Sequence, residues 1–278
     1  MNRIEGQNQN FFENFFTEEA KIGERKVLIT GGSSGIGEAL VRTFAEAGEN
    51  VYFTFNTGED RAQKLVKELE KYSVTAFHYD QGNAESLKEL LGQFSQPVEV
   101  LILNAAYGSK TIETASSDRI QQEQIMMQVN AVGPLLLTQA FLPSMRENRY
   151  GKIVFISSVG GGITHFPGFR HSDGMSKAAI AYLAKHIGAE LVHEPIDVFA
   201  VCPGATDTPM LRKSTLDHLN NEDRSALIQR LPDGRLIKPE EIAQLCYVLC
   251  STKAARLLRG SVVDASLGLG GNPGLIAH

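Results

Sequence analysis

Between the apolar run Val27-Leu28-Ile29 and the segment Glu38-Ala39-Leu40-Val41-Arg42-Thr43-Phe44-Ala45 the chain reads Thr30-Gly31-Gly32-Ser33-Ser34-Gly35-Ile36-Gly37. The first run predicts a short buried strand, and the second carries apolar residues at helical spacing. A strand that enters a helix through so many glycines constrains what the chain can become. Glycine permits the sharp turn and the close approach of backbone to ligand, and a helix N-terminus offers unpaired N–H groups to a pyrophosphate. Glycines alone are weak evidence. Placed between a strand and a helix, they point to a dinucleotide site rather than a plain turn.

The alternation continues along the chain. Strands are expected at 27–30, 50–55, 75–79, 98–103, 152–157, 196–202 and 261–264, with helices at 35–47, 58–71, 83–94, 117–146, 173–192 and 239–250. Near-continuous apolar strands separated by helices predict a single doubly wound α/β domain, its parallel sheet covered on both faces. Ligands of such sheets sit at the carboxyl ends of the strands, and most of the unusual sequence falls there.

Composition narrows the class. The 278 residues suffice for one large domain, and a net charge of -5 gives no basic footprint for nucleic acid. No apolar run reads as long enough to span a bilayer, and the N-terminus lacks a signal-peptide pattern. Three cysteines argue against a disulfide framework and for a reducing, cytoplasmic setting. Cys246 and Cys250 read as small buried apolar residues on one helix face rather than as a metal pair. No metal is expected; the expected partner is a small-molecule substrate, not a nucleic acid or a membrane. Residues 1–24 form an N-terminal extension whose Phe11-Phe12 and Phe15-Phe16 are spaced like one apolar helix face, expected to pack on the domain or on a neighbouring subunit. Residues 25–278 form the dinucleotide-binding domain.

The expected strand ends carry a set of motifs in order: Asp80-Gln81; Asn104-Ala105-Ala106; Val129-Asn130-Ala131; Ser157-Ser158; Ser176-Lys177-Ala178-Ala179; Pro203-Gly204-Ala205-Thr206-Asp207-Thr208; Lys238-Pro239-Glu240-Glu241; and Gly260 with Asp264. With the glycine turn, this series resembles the short-chain dehydrogenase/reductase family of Rossmann-fold NAD(P)-dependent oxidoreductases over about 26–270. The resemblance implies roles. Gly31, Gly35 and Gly37, with Ser33, Ser34 and Ile36 in the same turn, would line the pyrophosphate. Asp80, beside Gln81, would hold the adenine amino group, and Asn104, Ala105 and Ala106 would pass beside the adenine ribose. Lys177 would bond the nicotinamide ribose, and Pro203, Gly204, Thr206 and Thr208 would cup the nicotinamide and phosphates. Ser158 would hold the substrate oxygen, and Asn130 would help position Lys177 through a water. By the same resemblance, the helices at 117–146 and 173–192 imply a homodimer or homotetramer, and 210–236 takes the place of a mobile substrate lid.

Two positions carry the functional questions. An NAD site usually puts a carboxylate at the end of the second strand, to bind the ribose 2′-OH. Phe55 stands there, followed by Asn56 and Thr57. These two, with Ser33 or Ser34, are suited to a 2′-phosphate, and Arg61 and Lys64 lie one helical turn further on. The absence of a repelling carboxylate favours NADP; NAD stays open. The second position is Asp173, four residues before Lys177, where the family carries its proton-donating tyrosine. A carboxylate beside a lysine is expected to be ionised at neutral pH, able to accept a proton and holding none to give. Three readings follow. The chain transfers hydride to or from a carbonyl or alcohol group, with His165, His171, Tyr107 or a water supplying the proton. Alternatively, Asp173 is the base of a non-redox lyase or isomerase, or the chain is a catalytically inactive binding subunit. Asp173 and Lys177 also read as a plain ion pair at a helix start.

Overall fold

Mostly apolar runs of four to eight residues build the sheet. In the computed structural model, which describes residues 23–166 and 169–272, the strands are β1 (Lys26–Ile29), β2 (Asn50–Phe55), β3 (Val74–His78), β4 (Val100–Leu103), β5 (Gly151–Ile156), β6 (Ile196–Pro203) and β7 (Val262–Ala265). All neighbours pair in parallel, in the order β3-β2-β1-β4-β5-β6-β7. β4, β5 and β6 are buried along their whole length, as strands covered on both faces must be.

Helices α1 (Gly35–Glu46), α2 (Glu59–Glu68) and, late in the chain, α9 (Pro239–Ser251) cover one face. There Leu40, Phe44, Leu65, Ile242 and Leu249 pack on Val27, Ile29 and Phe53. Phe44 and Tyr247 meet edge to face at 5.3 Å, which locks α1 to α9. The other face carries α3 (Ala84–Leu91), α4 (Arg119–Met127), α5 (Gly133–Glu147) and α6 (His171–Glu190). Its core joins Leu137, Phe141, Met145, Ile180, Ala184 and Ile187 to Leu28, Leu101, Ile153 and Val198. Strands and helices agree with the sequence expectation to within a few residues at their ends.

Three expectations need correction or limits. The helix expected at 117–146 is interrupted: a π turn, Gln128–Val132, joins α4 to α5. Continuous through that turn, Arg119–Glu147 is also long and apolar enough by length and composition to cross a membrane, although no such run was expected. Half of its apolar window is buried inside the domain, as in a core helix. The phenylalanines of the N-terminal extension lie outside the described residues. The 210–236 region holds two short helices, α7 (Pro209–Ser214) and α8 (Asn221–Arg230), neither with a buried residue.

The amino ends of the strands, opposite the expected ligand face, carry buried charge. Arg25 precedes β1, and its side chain is fully buried against Glu49. Its Nε donates to Glu49 Oε1 at 2.9 Å, and Nη1 donates to Tyr150 Oη at 3.0 Å and to Cys250 O at 2.6 Å. Cys250 is in the last turn of α9, so the guanidinium also serves a helix C-terminus whose carbonyls have no helical partner. Cys250 and Cys246 are themselves buried, which pushes the Cys250 thiol up to about 12 and the Cys246 thiol well above its ordinary range. Removing one partner of a buried pair leaves the other charge uncompensated. Arg25→Met should therefore destabilise the domain by about 3–5 kcal/mol, read from urea unfolding. A loss below about 1 kcal/mol would show that Glu49 finds another partner.

Candidate active site

The β1–α1 turn closes only because its side chains are missing. Gly31 and Gly35 have φ of +68° and +56°. A Cβ on Gly37 would lie 2.1 Å from Gly31 O, and one on Gly31 would lie 2.9 Å from Ala105 Cα. Thr30, the last residue before the turn, receives two N–H donors on its hydroxyl, from Asn104 at 3.0 Å and Ala105 at 2.9 Å. Asn104 Nδ2 donates back to Thr30 O at 3.0 Å and Gly31 O at 3.2 Å. The turn and the end of β4 are thus one unit. Ser34 occupies the N-cap of α1 with no capping bond from its hydroxyl, so the first-turn N–H groups are left for an anion. Thr208, at the N-cap of α7, closes over the turn: a Cβ on Gly35 would lie 3.3 Å from it. A dinucleotide pyrophosphate fits this cradle, which any larger residue at these glycines would fill.

At the next strand end, Phe55 ends β2 with its ring 5.8 Å from His78, and Asn56 and Thr57 follow, exposed. A Cβ on Gly58 would lie 2.5 Å from Arg61 Nη2 and 2.7 Å from Ser33 Oγ, so a guanidinium and a hydroxyl converge beside the glycine turn. Lys64 goes elsewhere, pairing with Glu68 at 3.8 Å. Asp80 Oδ1 accepts from Gly82 N at 2.9 Å, and Asp80 N donates to Ser86 Oγ at 3.0 Å. Gln81 is buried beside it, its Nε2 donating to Ala105 O and Val129 O.

Ser158 follows β5, Asp173 and Lys177 lie on α6, and Asn130 lies in the π turn. Ser158 caps the turn at Val159–Ile163, its Oγ accepting from Gly160 N at 3.1 Å. Lys177 is buried, and its Nζ donates to Ile156 O at 3.0 Å. Burial pushes its amine below the ordinary lysine range, against the opposing pull of Asp173 and of Cys202. Asp173 lies one turn earlier, in the first turn of α6, where a helix N-terminus favours a carboxylate. Among the described residues no ion-pair contact joins Asp173 to Lys177, and Asp173 Oδ2 accepts from Ser109 Oγ at 2.7 Å. Ser109 also accepts from Arg170 N at 3.2 Å, and the Arg170 side chain is tied to Glu123 and Gln122 of α4, both at 2.8 Å. Sequence reading missed Ser109; its only signal was a small polar residue in the loop after β4.

Asn130 rises from the π turn. Its Oδ1 accepts from Tyr107 N and its Nδ2 donates to Tyr107 O, both at 2.8 Å, and Nδ2 also reaches Ser176 Oγ at 3.2 Å. Among the candidate proton donors, His165 and His171 are exposed. The Tyr107 phenol is pushed up by burial and then by the charge of Asp80. At the end of β6, Gly204 N donates to Ala265 O at 3.2 Å, and Thr206 Oγ1 donates to Gly204 O at 3.1 Å, which sets the turn after Pro203.

A family model described as short chain dehydrogenase matches residues 25–219. The chain belongs to this family. An uncharacterized oxidoreductase, YmfI of Bacillus subtilis, is 30% identical over 88% of this chain and 98% of its own length. The 3-oxoacyl-[acyl-carrier-protein] reductase FabG of Thermotoga maritima is 32% identical over 87% and 96%. Among solved structures, an actinorhodin polyketide ketoreductase variant with NADPH superposes with a TM-score of 0.77 at 26% identity, covering 89% of this chain and 97% of that one. The Pseudomonas aeruginosa RhlG/NADP complex gives 0.76 at 27%, covering 88% and 96%. Membership makes the chain an oxidoreductase of the short-chain dehydrogenase/reductase type.

The steric limit of the turn gives a test. Gly37→Ala forces a methyl group against Gly31 O and should cost about 1–3 kcal/mol of stability, read as a lowered unfolding midpoint. An unchanged midpoint would mean that the turn has room the geometry denies.

Proposed function

We propose that the chain is an NADP(H)-dependent oxidoreductase that interconverts an alcohol and a carbonyl group of a small molecule, with Asp173 standing where the family has its tyrosine. The observation that carries the cofactor reading is the convergence of Arg61 and Ser33 on Gly58, at a β2 end that lacks a carboxylate. A guanidinium with a neighbouring hydroxyl is the usual recognition chemistry for a phosphate monoester. The named relatives agree in kind: the ketoreductase carries NADPH and RhlG carries NADP, while a Brucella melitensis 3-oxoacyl reductase of 26% identity and TM-score 0.75 carries NAD.

In this reading Gly31, Ser34, Gly35, Ile36, Gly37 and Thr208 hold the pyrophosphate. Ser33, Asn56, Thr57 and Arg61 meet the 2′-phosphate. Asp80, Gln81, Asn104, Ala105 and Ala106 border the adenosine, and Lys177, Pro203, Gly204 and Thr206 border the nicotinamide side. The bound nicotinamide supplies or takes up the hydride. Ser158 holds the substrate oxygen. Asp173 takes the proton of a substrate hydroxyl, its carboxylate oriented by the O–H that Ser109 donates. An acceptor of this kind suits alcohol oxidation, in which the site must take a proton up. Residues 210–236 act as the substrate lid; Met210 already sits against the loop after β4, because a Cβ on Gly108 would lie 2.9 Å from its Sδ. A cytoplasmic setting and a homodimer or homotetramer belong to the same reading. Exposed Met175 and Tyr182 on α6, and reduced buried cysteines, support it.

Calorimetric titration tests the cofactor assignment. NADPH should bind more tightly than NADH, and Arg61→Ala should cut that preference by roughly tenfold, the scale of one charge-assisted contact. Equal affinities, or a preference indifferent to Arg61→Ala, would move the assignment to NAD. Asp173→Tyr should gain reduction of simple ketones, followed by NADPH consumption. No gain across a broad ketone panel, with NADPH binding intact, would count against a site changed only in its proton-transfer residue.

A further inference from the structure

The passage from α4 to α5 leaves one backbone carbonyl without a helical partner. In the π turn the Gly133 N–H reaches back five residues, to Gln128 O, and so bypasses Val129 O. The residue five beyond Val129 is Pro134, which has no N–H to give. Gln81 fills the position from the turn after β3: its Nε2 donates to Val129 O at 2.7 Å and to Ala105 O at 3.0 Å. Gly133 makes room for it, because a Cβ there would lie 2.4 Å from Gln81 Cγ.

The amide is buried, with only 6% of Gln81 exposed, and among the described residues its Oε1 has no donor. The two bonds at nitrogen fix which way the amide faces, so the group is held for what its nitrogen does. One of the carbonyls it holds is that of Ala105, whose Cα forms the wall against Gly31 in the glycine turn. A displaced Ala105 would change the space where a pyrophosphate enters.

We infer that Gln81 is a positioning residue for the adenosine and pyrophosphate half of the dinucleotide site, acting through Ala105 and braced on the carbonyl that the π turn and Pro134 leave free. This rests on the NADP(H) reading above. It separates two jobs of one amide: the bond to Val129 O steadies the helix junction, and the bond to Ala105 O sets the cradle wall.

The variants Gln81→Met and Gln81→Met/Pro134→Ala separate the two. Methionine keeps the length of the side chain and removes both bonds; alanine at 134 returns an N–H to the helix for Val129 O but gives nothing to Ala105 O. Titrations would use NADPH, 2′,5′-ADP and reduced nicotinamide mononucleotide, with thermal unfolding alongside. Gln81→Met should lower the unfolding midpoint and weaken NADPH and 2′,5′-ADP by roughly five- to tenfold, with the mononucleotide within about twofold. Adding Pro134→Ala should recover the midpoint without recovering 2′,5′-ADP affinity. If affinity returns together with the midpoint, or if Gln81→Met binds 2′,5′-ADP like the parent, Gln81 is a structural brace alone and the inference fails. If the parent protein binds no NADPH at all, the cofactor reading fails and takes this inference with it.

Discussion

Everything at the site depends on how two adjacent strands separate. β1 and β4 are neighbours in the sheet, yet β1 leads into α1 on one face and β4 leads toward α4 on the other. Such a reversal opens a crevice at the carboxyl ends of the strands. A crevice alone is only a gap; here the Thr30 hydroxyl, holding the N–H groups of Asn104 and Ala105, sets its width. Gly31 is then forced to be glycine, because Ala105 lies where its side chain would be. Gly37 is forced in turn, because the Gly31 carbonyl points at it. The motif is therefore a chain of steric consequences that begins with one threonine hydroxyl.

The same logic shows why the sequence disclosed the frame and hid part of the site. Buried parallel strands are mostly apolar, so β1, β2 and β6 stand out in the sequence as near-continuous apolar runs. The glycine turn was legible because its constraint is local. The helix across 117–146 was read as continuous because its apolar pattern is continuous. What breaks it is a missing N–H at Pro134, tolerated only because Gln81, 48 residues away from Val129, donates in its place. Ser109 with Asp173 is a pair of the same kind: Asp173 stands out in the sequence, but only the fold brings Ser109 to it.

In the proposed reading Asp173 takes the place of a tyrosine, and its surroundings bear on what that exchange requires. A tyrosine there would bring its own proton; a carboxylate brings charge and needs donors. The fold supplies one, the Ser109 hydroxyl, to Asp173 in the first turn of α6. The α6 N-terminus is itself held down by Arg170 on Glu123 and Gln122, so the carboxylate sits on a braced element. Burial disfavours charge on Lys177, and Asp173 is first among the groups that restore it.

The two ends of the sheet divide the work according to what each can bury. At the amino ends, Arg25 with Glu49 and Lys152 with Asp197 are ion pairs almost wholly withdrawn from water. Lys152 and Asp197 face each other in register across β5 and β6, and Arg259 adds a second donor to Asp197 at 2.8 Å. Such pairs gain little over apolar packing, but they are costly to break, so they penalise any slip in strand register. At the carboxyl ends the polar groups are mostly neutral: threonine, serine and amide side chains binding backbone. Neutral groups hold loops without filling the crevice with fixed charge. Among the described residues the charged side chains there include Arg61, Asp80, Asp173 and Lys177, with Asp207 already paired to Arg212.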